Sequence, residues 1–83
     1  MIKQELVEAL NDIGVSPGSY SLDGVPLTEG IILEKTTNHY GDNKEYTVWN
    51  LFYQERERKL ESSFSTESDA LLDILKRFER YKR

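Results

Sequence analysis

The stretch from Glu45 to Leu60 reads Glu-Tyr-Thr-Val-Trp-Asn-Leu-Phe-Tyr-Gln-Glu-Arg-Glu-Arg-Lys-Leu, and it constrains the fold more than any other part of the chain. It sets the chain's one tryptophan among β-branched and aromatic residues without an interrupting Gly or Pro. It therefore reads as a central strand running into a tight charged turn over Gln54 to Arg58. Alternation puts Tyr46, Val48, Asn50 and Phe52 on one face and Thr47, Trp49, Leu51 and Tyr53 on the other. Both faces are largely apolar, so either helices cover both or one is left for a partner.

Such a strand needs neighbours. Gly30 to Thr36 reads as one, with Ile32 the favourite to point inward and Ile31 and Leu33 on the opposite face, or the reverse, since three consecutive apolar residues make the choice of face ambiguous. Thr37 to Lys44, rich in turn formers, reads as a loop joining two antiparallel strands. Tyr20-Ser21-Leu22 before Asp23-Gly24 signals a hairpin. Val25-Pro26-Leu27 would be its edge strand, because proline lacks the donor a central strand uses. Beyond the charged turn, Lys59 to Phe64 returns as a strand with Leu60, Ser62 and Phe64 on one side.

Ile2, Leu6, Ala9, Leu10 and Ile13 recur at helical spacing and predict an amphipathic helix over 2–13, stopped by Gly14 and the Ser16-Pro17-Gly18 turn. A second helix is expected over 66–81, striped by Ala70, Leu71, Ile74, Leu75, Phe78 and Tyr81. Ser65 or Thr66 is its cap, Glu67 and Asp69 fill its first turn, and Lys76, Arg77, Arg80, Lys82 and Arg83 complement the dipole at its end. The expectation is one α+β domain over 1–83: an antiparallel sheet of three to four strands flanked by an N-terminal and a C-terminal helix.

At 83 residues such a domain buries roughly 60–65% of its unfolded surface, which leaves little interior for an elaborate active site. Cysteine is absent, which excludes disulfides, thiolate nucleophiles and sulfur-ligated zinc. The N-terminus lacks a charged region followed by an apolar one, and no apolar run approaches the roughly 20 residues that span a bilayer. A cytoplasmic protein without membrane contact is expected. The net charge of −4 is uneven. Residues 1–55 carry nine acidic and three basic groups, and residues 56–83 carry six acidic and eight basic ones. An acidic front half suits a basic partner and argues against nucleic acid as the main one, since phosphate contacts need clustered Lys and Arg.

Catalytic chemistry has little to rest on. His39, the one histidine, has Asp42 near it in sequence but no nucleophile, and a general base needs both a substrate group and an orienting partner. His39, Asp42 and Glu45 lack metal-site spacing. Glu5 and Glu8 are solvated helix surface. Gly14 and Gly18 match no phosphate-loop pattern, and no serine stands in a nucleophile elbow. No enzyme activity, cofactor or metal is expected. The run Lys76 to Arg83 interleaves cations with aromatics and offers an alternative, a small regulatory protein binding nucleic acid through that helix. Aromatics beside acids are the better clue, because Tyr and Trp anchor docked partners and carboxylates steer cationic ones. The candidate partner-binding residues are Tyr20, Asp23, Tyr40, Asp42, Glu45, Trp49, Tyr53, Glu55 and Arg56, in a monomer or in a homodimer formed through the second apolar sheet face.

From Tyr20 onward the order of signals resembles the small immunity proteins of bacterial polymorphic-toxin systems. The resemblance is carried by Tyr-Ser-Leu-Asp-Gly, a strand ending in Leu-Glu, a Trp-x-x-x-Tyr strand running into Glu-Arg, and Phe-Ser-Thr-Glu opening an Ala/Leu helix. The matching positions are Tyr20, Leu22, Gly24, Leu33, Glu34, Trp49, Tyr53, Glu55, Arg56, Phe64, Ser65 and Ala70. The chain departs at Glu57, where those relatives tend to carry Gly after Glu-Arg, so its turn does not rest on a left-handed residue. The resemblance implies a cytoplasmic antidote that binds one cognate toxin domain, commonly a nuclease, and occludes its active site or an essential surface.

Overall fold

The computed structural model of the chain describes residues 1–39, 41 and 44–81, with the backbone alone at Tyr81. Helix α1 (Lys3–Asp12) starts where the Glu5 carboxylate accepts from the Ile2 backbone N–H at 2.9 Å, satisfying one orphan donor of the first turn. It ends as the sequence suggests. Gly14 takes φ +84°, its N–H donates to the Asn11 carbonyl, and the Val15 N–H donates to that of Leu10. This six-to-one bond closes a Schellman motif, and it tucks Val15 into the same core as Leu10. A 3-10 turn over Pro17–Ser19 follows and leads into β1 (Tyr20–Ser21).

Strands β2 (Gly30–His39), β3 (Glu45–Gln54) and β4 (Arg58–Phe64) then form an antiparallel meander, and α2 (Glu67–Tyr81) closes the chain. Thr66 is the cap of α2, its hydroxyl accepting from the Asp69 N–H at 3.3 Å. The N-terminal ammonium donates to the Ser68 hydroxyl at 3.0 Å, which sets the starts of the two helices side by side. The fold is α+β, with sheet order β1-β2-β3-β4.

Several expectations are corrected. The sheet is mixed, because β1 pairs parallel with β2, Tyr20 opposite Ile31 and Ser21 opposite Ile32. Asp23-Gly24 does turn the chain, with Gly24 at φ +75°, but no hairpin results. Val25-Pro26-Leu27 is not a strand, and the edge position belongs to Tyr20–Ser21. The connection over residues 22–29 is shorter than the dozen or so residues usual between parallel strands, and a two-residue β1 tolerates it. Thr37 to His39 continue β2, each opposite a residue of β3, so the expected loop over 37–44 is shorter than its composition suggests. Leu60 does not share a face with Ser62 and Phe64. A register shift between Leu51 and Phe52 places Ser62 opposite Leu51 but Leu60 opposite Phe52.

Both helices lie on one face of the sheet, and it is Ile31 and Leu33, not the favoured Ile32, that point into the core beneath them, Ile32 taking the opposite face of the pleat. Leu6, Leu10 and Val15 meet Ile31, Leu33 and Leu51 from below and Ala70, Leu71 and Ile74 from α2 in one buried cluster. Each large member contributes about 1.5–3 kcal/mol of burial. The shortest extent of the Cα trace is 18 Å, room for one helical layer on one sheet and no third layer. Among the described residues no helix is long and apolar enough to cross a membrane.

Lys3 on α1 ties the 22–29 segment down by donating to Asp23 at 2.7 Å. This hydrogen bond raises the Lys3 pKa above its ordinary 10.5, against a smaller desolvation effect. Both groups are well exposed, so solvent screening limits the pair to less than about 1 kcal/mol. A raised lysine pKa contributes stability that is fully present below 10.5 and is lost as pH rises through the folded-state value. Lys3→Met is therefore expected to destabilise slightly at pH 7, with the difference from the parent vanishing above pH 10.5 in urea titrations.

Candidate partner-binding surface

The sheet face opposite the helices is organised in rungs. Ile32, Phe52 and Leu60 stand opposite one another across three strands; Ile32 is buried and Leu60 is 54% exposed. Beside them the Ser63 hydroxyl donates to the Asn50 side-chain oxygen at 2.7 Å, and the Asn50 amide reaches Thr36 at 3.5 Å. The Arg58 guanidinium lies 4.3 Å over the Phe52 ring and continues to Glu34 at 2.9 Å. It straps the apolar rung with a charge already paired. Tyr46 and Val48 extend this face toward the far end of β3.

The more concave feature is a cleft of about 420 Å³ lined by Ser19, Glu29, Gly30, Ile31, Tyr53 and Phe78. Ile31 and Tyr53 face each other in register, so the cleft lies where β2 begins and β3 ends, against the C-terminal half of α2. Phe78 meets Tyr20 edge to face, ring centroids 6.2 Å apart and planes at 69°, which fixes its ring as a wall. Among the described residues, the one charged residue in the lining is Glu29, which is exposed and in no ion pair. On the other side of Tyr53 runs a groove shared with Glu55, Arg56, Glu57, Arg58 and Lys59.

The residues that the sequence singles out fall at two ends of the molecule. Glu45 and Gln54 bound β3, and nine steps at about 3.3 Å separate its ends by roughly 30 Å. At the cleft end the structure assembles Tyr53, Tyr20 behind Phe78, and the exposed turn residues Glu55 and Arg56. At the far end Glu45 is exposed, its carboxylate 3.7 Å from His39 Nδ1 across the ladder. Tyr40 and Asp42 lie outside the described residues. Asp23 is engaged with Lys3. Trp49 is half-buried against the helical core rather than on the opposite sheet face, with the Lys35 ammonium 5.8 Å from its ring centroid. Its Nε1–H is buried without an acceptor among the described residues.

Sequence reasoning misses Glu29, Phe78, Ser19 and Gly30. Phe78 reads as one more member of a helix stripe, and Glu29 sits in a segment with no periodicity at all. Among the described residues, Ser19 and Glu29 line the cleft without a histidine or lysine beside them. Among the described residues no group of three His, Asp or Glu is placed to hold a metal ion. In the run Lys76 to Arg83, Phe78 packs inward and Arg77 is held by Asp73 at 2.6 Å, so the first half of that run does not present an open row of cations and rings. No protein-family model, curated protein or solved structure matches the chain.

Proposed function

We propose that this chain is a non-enzymatic binding protein that masks a basic protein partner, acting as the cytoplasmic antidote to a toxin domain that the resemblance to small immunity proteins implies. The observation that carries this reading is the cleft, whose lining sets the aromatic residues Tyr53 and Phe78 beside the acidic Glu29 on a chain of net charge −4. Aromatic anchors in a pocket supply binding energy on a small footprint, and an acidic surface raises the rate of encounter with a cationic partner. The mechanism is occlusion: electrostatic approach, then burial of the rings and expulsion of water from the partner's essential surface.

The test is kinetic. With the product of the adjacent gene as partner, the association rate should fall by at least about tenfold between roughly 50 mM and 500 mM salt, as screening shortens the reach of the acidic surface. Dissociation should change little. A salt-independent association rate would remove acidic steering from the mechanism, and turnover of a small substrate by the isolated chain would remove the non-enzymatic reading.

A further inference from the structure

We propose that the outer edge of β2 over residues 35–39 pairs antiparallel with the same run of a second copy, joining two chains through a four-stranded arm. The proposal is independent of the masking role. β1 lies beside β2 only at Ile31 and Ile32, and β4 reaches along β3 only as far as Trp49. The chain leaving β1 stays close as far as Glu34, since a Cβ at Gly24 would stand 3.5 Å from the Glu34 Cγ. Past that point residues 35–39 and 45–48 continue as a two-stranded ribbon, and among the described residues no strand flanks it on either side. A ribbon of two strands is marginal by itself.

Proteins guard an open edge with a bulge, a proline or a charged side chain turned across it. The β2–β3 register is unbroken from Gly30 to His39, and that run holds no proline. On the helix side its side chains lean inward, onto β3. The Lys35 ammonium lies 5.8 Å from the Trp49 ring centroid, the Thr37 and Thr47 hydroxyls are 3.4 Å apart, and His39 Nδ1 is 3.7 Å from the Glu45 carboxylate. None of the three is turned across the edge.

The occupant follows from the order of residues in the run. Antiparallel pairing about Thr37 sets Thr37 opposite itself, Thr36 opposite Asn38 and Lys35 opposite His39. With their β3 neighbours included, the central row reads Thr47-Thr37-Thr37-Thr47, four hydroxyls in line. The next row sets Glu45 and His39 of one copy in line with Lys35 and Trp49 of the other, an acid answered by a base, and the two-fold axis repeats it. A copy carries this match already. Such an isologous contact closes at two chains.

Sedimentation equilibrium of the intact chain between roughly 10 μM and 1 mM should show a reversible monomer–dimer equilibrium. Thr37→Lys faces two ammonium groups across the axis and should weaken the dimer at least about fivefold, while the exposed position leaves the urea midpoint of the dilute chain unchanged. Cysteine is absent from the parent, so a single thiol can be placed cleanly. Thr37→Cys puts two thiols on directly opposed residues, within disulfide reach, whereas Thr47→Cys leaves them three strand spacings, roughly 14 Å, apart. The first should cross-link at least about tenfold faster under mild oxidation. Amide exchange over residues 35–39 should slow as concentration rises. A chain still monomeric at the upper concentration overturns the proposal. So does a dimer that Thr37→Lys leaves intact, one that cross-links equally well from Thr47, or one whose concentration-dependent protection falls on residues 45–48 or on Ile32, Phe52 and Leu60.

Discussion

Replacing Gly30 by alanine is expected to detach β1 from the sheet and to lower stability by more than the backbone conformation alone would cost. Gly30 adopts φ +142°, a region essentially reserved for glycine, and placing a side chain there costs about 1–3 kcal/mol. The added methyl would also lie 2.2 Å from the Ser19 carbonyl oxygen, and backbone cannot swing aside as the end of a side chain can. Ser19 leads directly into the two residues of β1, so relief of the clash displaces the whole strand. A domain of this size sits at the low end of the usual ~5–15 kcal/mol. The urea midpoint should fall by about 1 M or more, given slopes near 1–3 kcal/mol per molar. Hydrogen exchange at Tyr20 and Ser21 should lose its protection. An unchanged midpoint with those amides still protected would mean that the β1–β2 junction relaxes freely.

Leu71→Ala is expected to cost about 2–5 kcal/mol, enough to leave a substantial unfolded fraction at 37 °C. Leu71 is fully buried in the cluster that joins both helices to β2 and β3. Its neighbour makes the control: Leu72 is 41% exposed, and Leu72→Ala should change stability by no more than about 0.5 kcal/mol. The two substitutions alter helix propensity equally, so their difference reports burial alone. Thermal unfolding followed by circular dichroism measures it. Comparable losses at both positions would show that α2 is not seated on the sheet as described.

The pair also shows what was legible from sequence and why. Periodicity is a local signal with a global cause, and where a residue's burial follows from its place in a repeat the sequence carries it. The stripe of α2, the alternation of β3 and the Gly14 stop of α1 are of this kind. Asp23-Gly24 marks the limit. It specifies that the chain turns, and Gly24 does take a left-handed conformation, but it does not specify where the chain goes next. Pro26 cannot donate to a ladder, so the segment does not return as a partner of Tyr20–Ser21, and the parallel pairing with Ile31 and Ile32 depends on contacts between residues far apart in the local code. Leu60 fails for a related reason, since strict alternation assumes an unbroken register and the shift opposite Leu51 and Phe52 breaks it.

The cleft itself could not be read from the sequence. Of the aromatic residues that the sequence singles out, Tyr53 lies in its wall and Tyr20 behind Phe78. Glu29 and Phe78 come together only because a loop before β2 and the end of α2 converge on the same strand ends, 49 positions apart in the chain (78 − 29). No spacing rule spans that distance. Trp49, the most conspicuous residue of the sequence, stands at the margin of the helical core.

The register shift has a further bearing on how this chain can associate. β4 is the outer rim of the sheet, and an uninterrupted seven-residue rim would offer its unpaired donors and acceptors to any passing strand. The extra residue that the shift accommodates is Glu61, exposed and charged, with Arg58 and Lys59 just before it. Lateral growth into longer sheets, and with it fibril formation at high concentration, is thereby discouraged. Any association through this edge is then left to side chains, which can discriminate among surfaces in a way that bare backbone cannot.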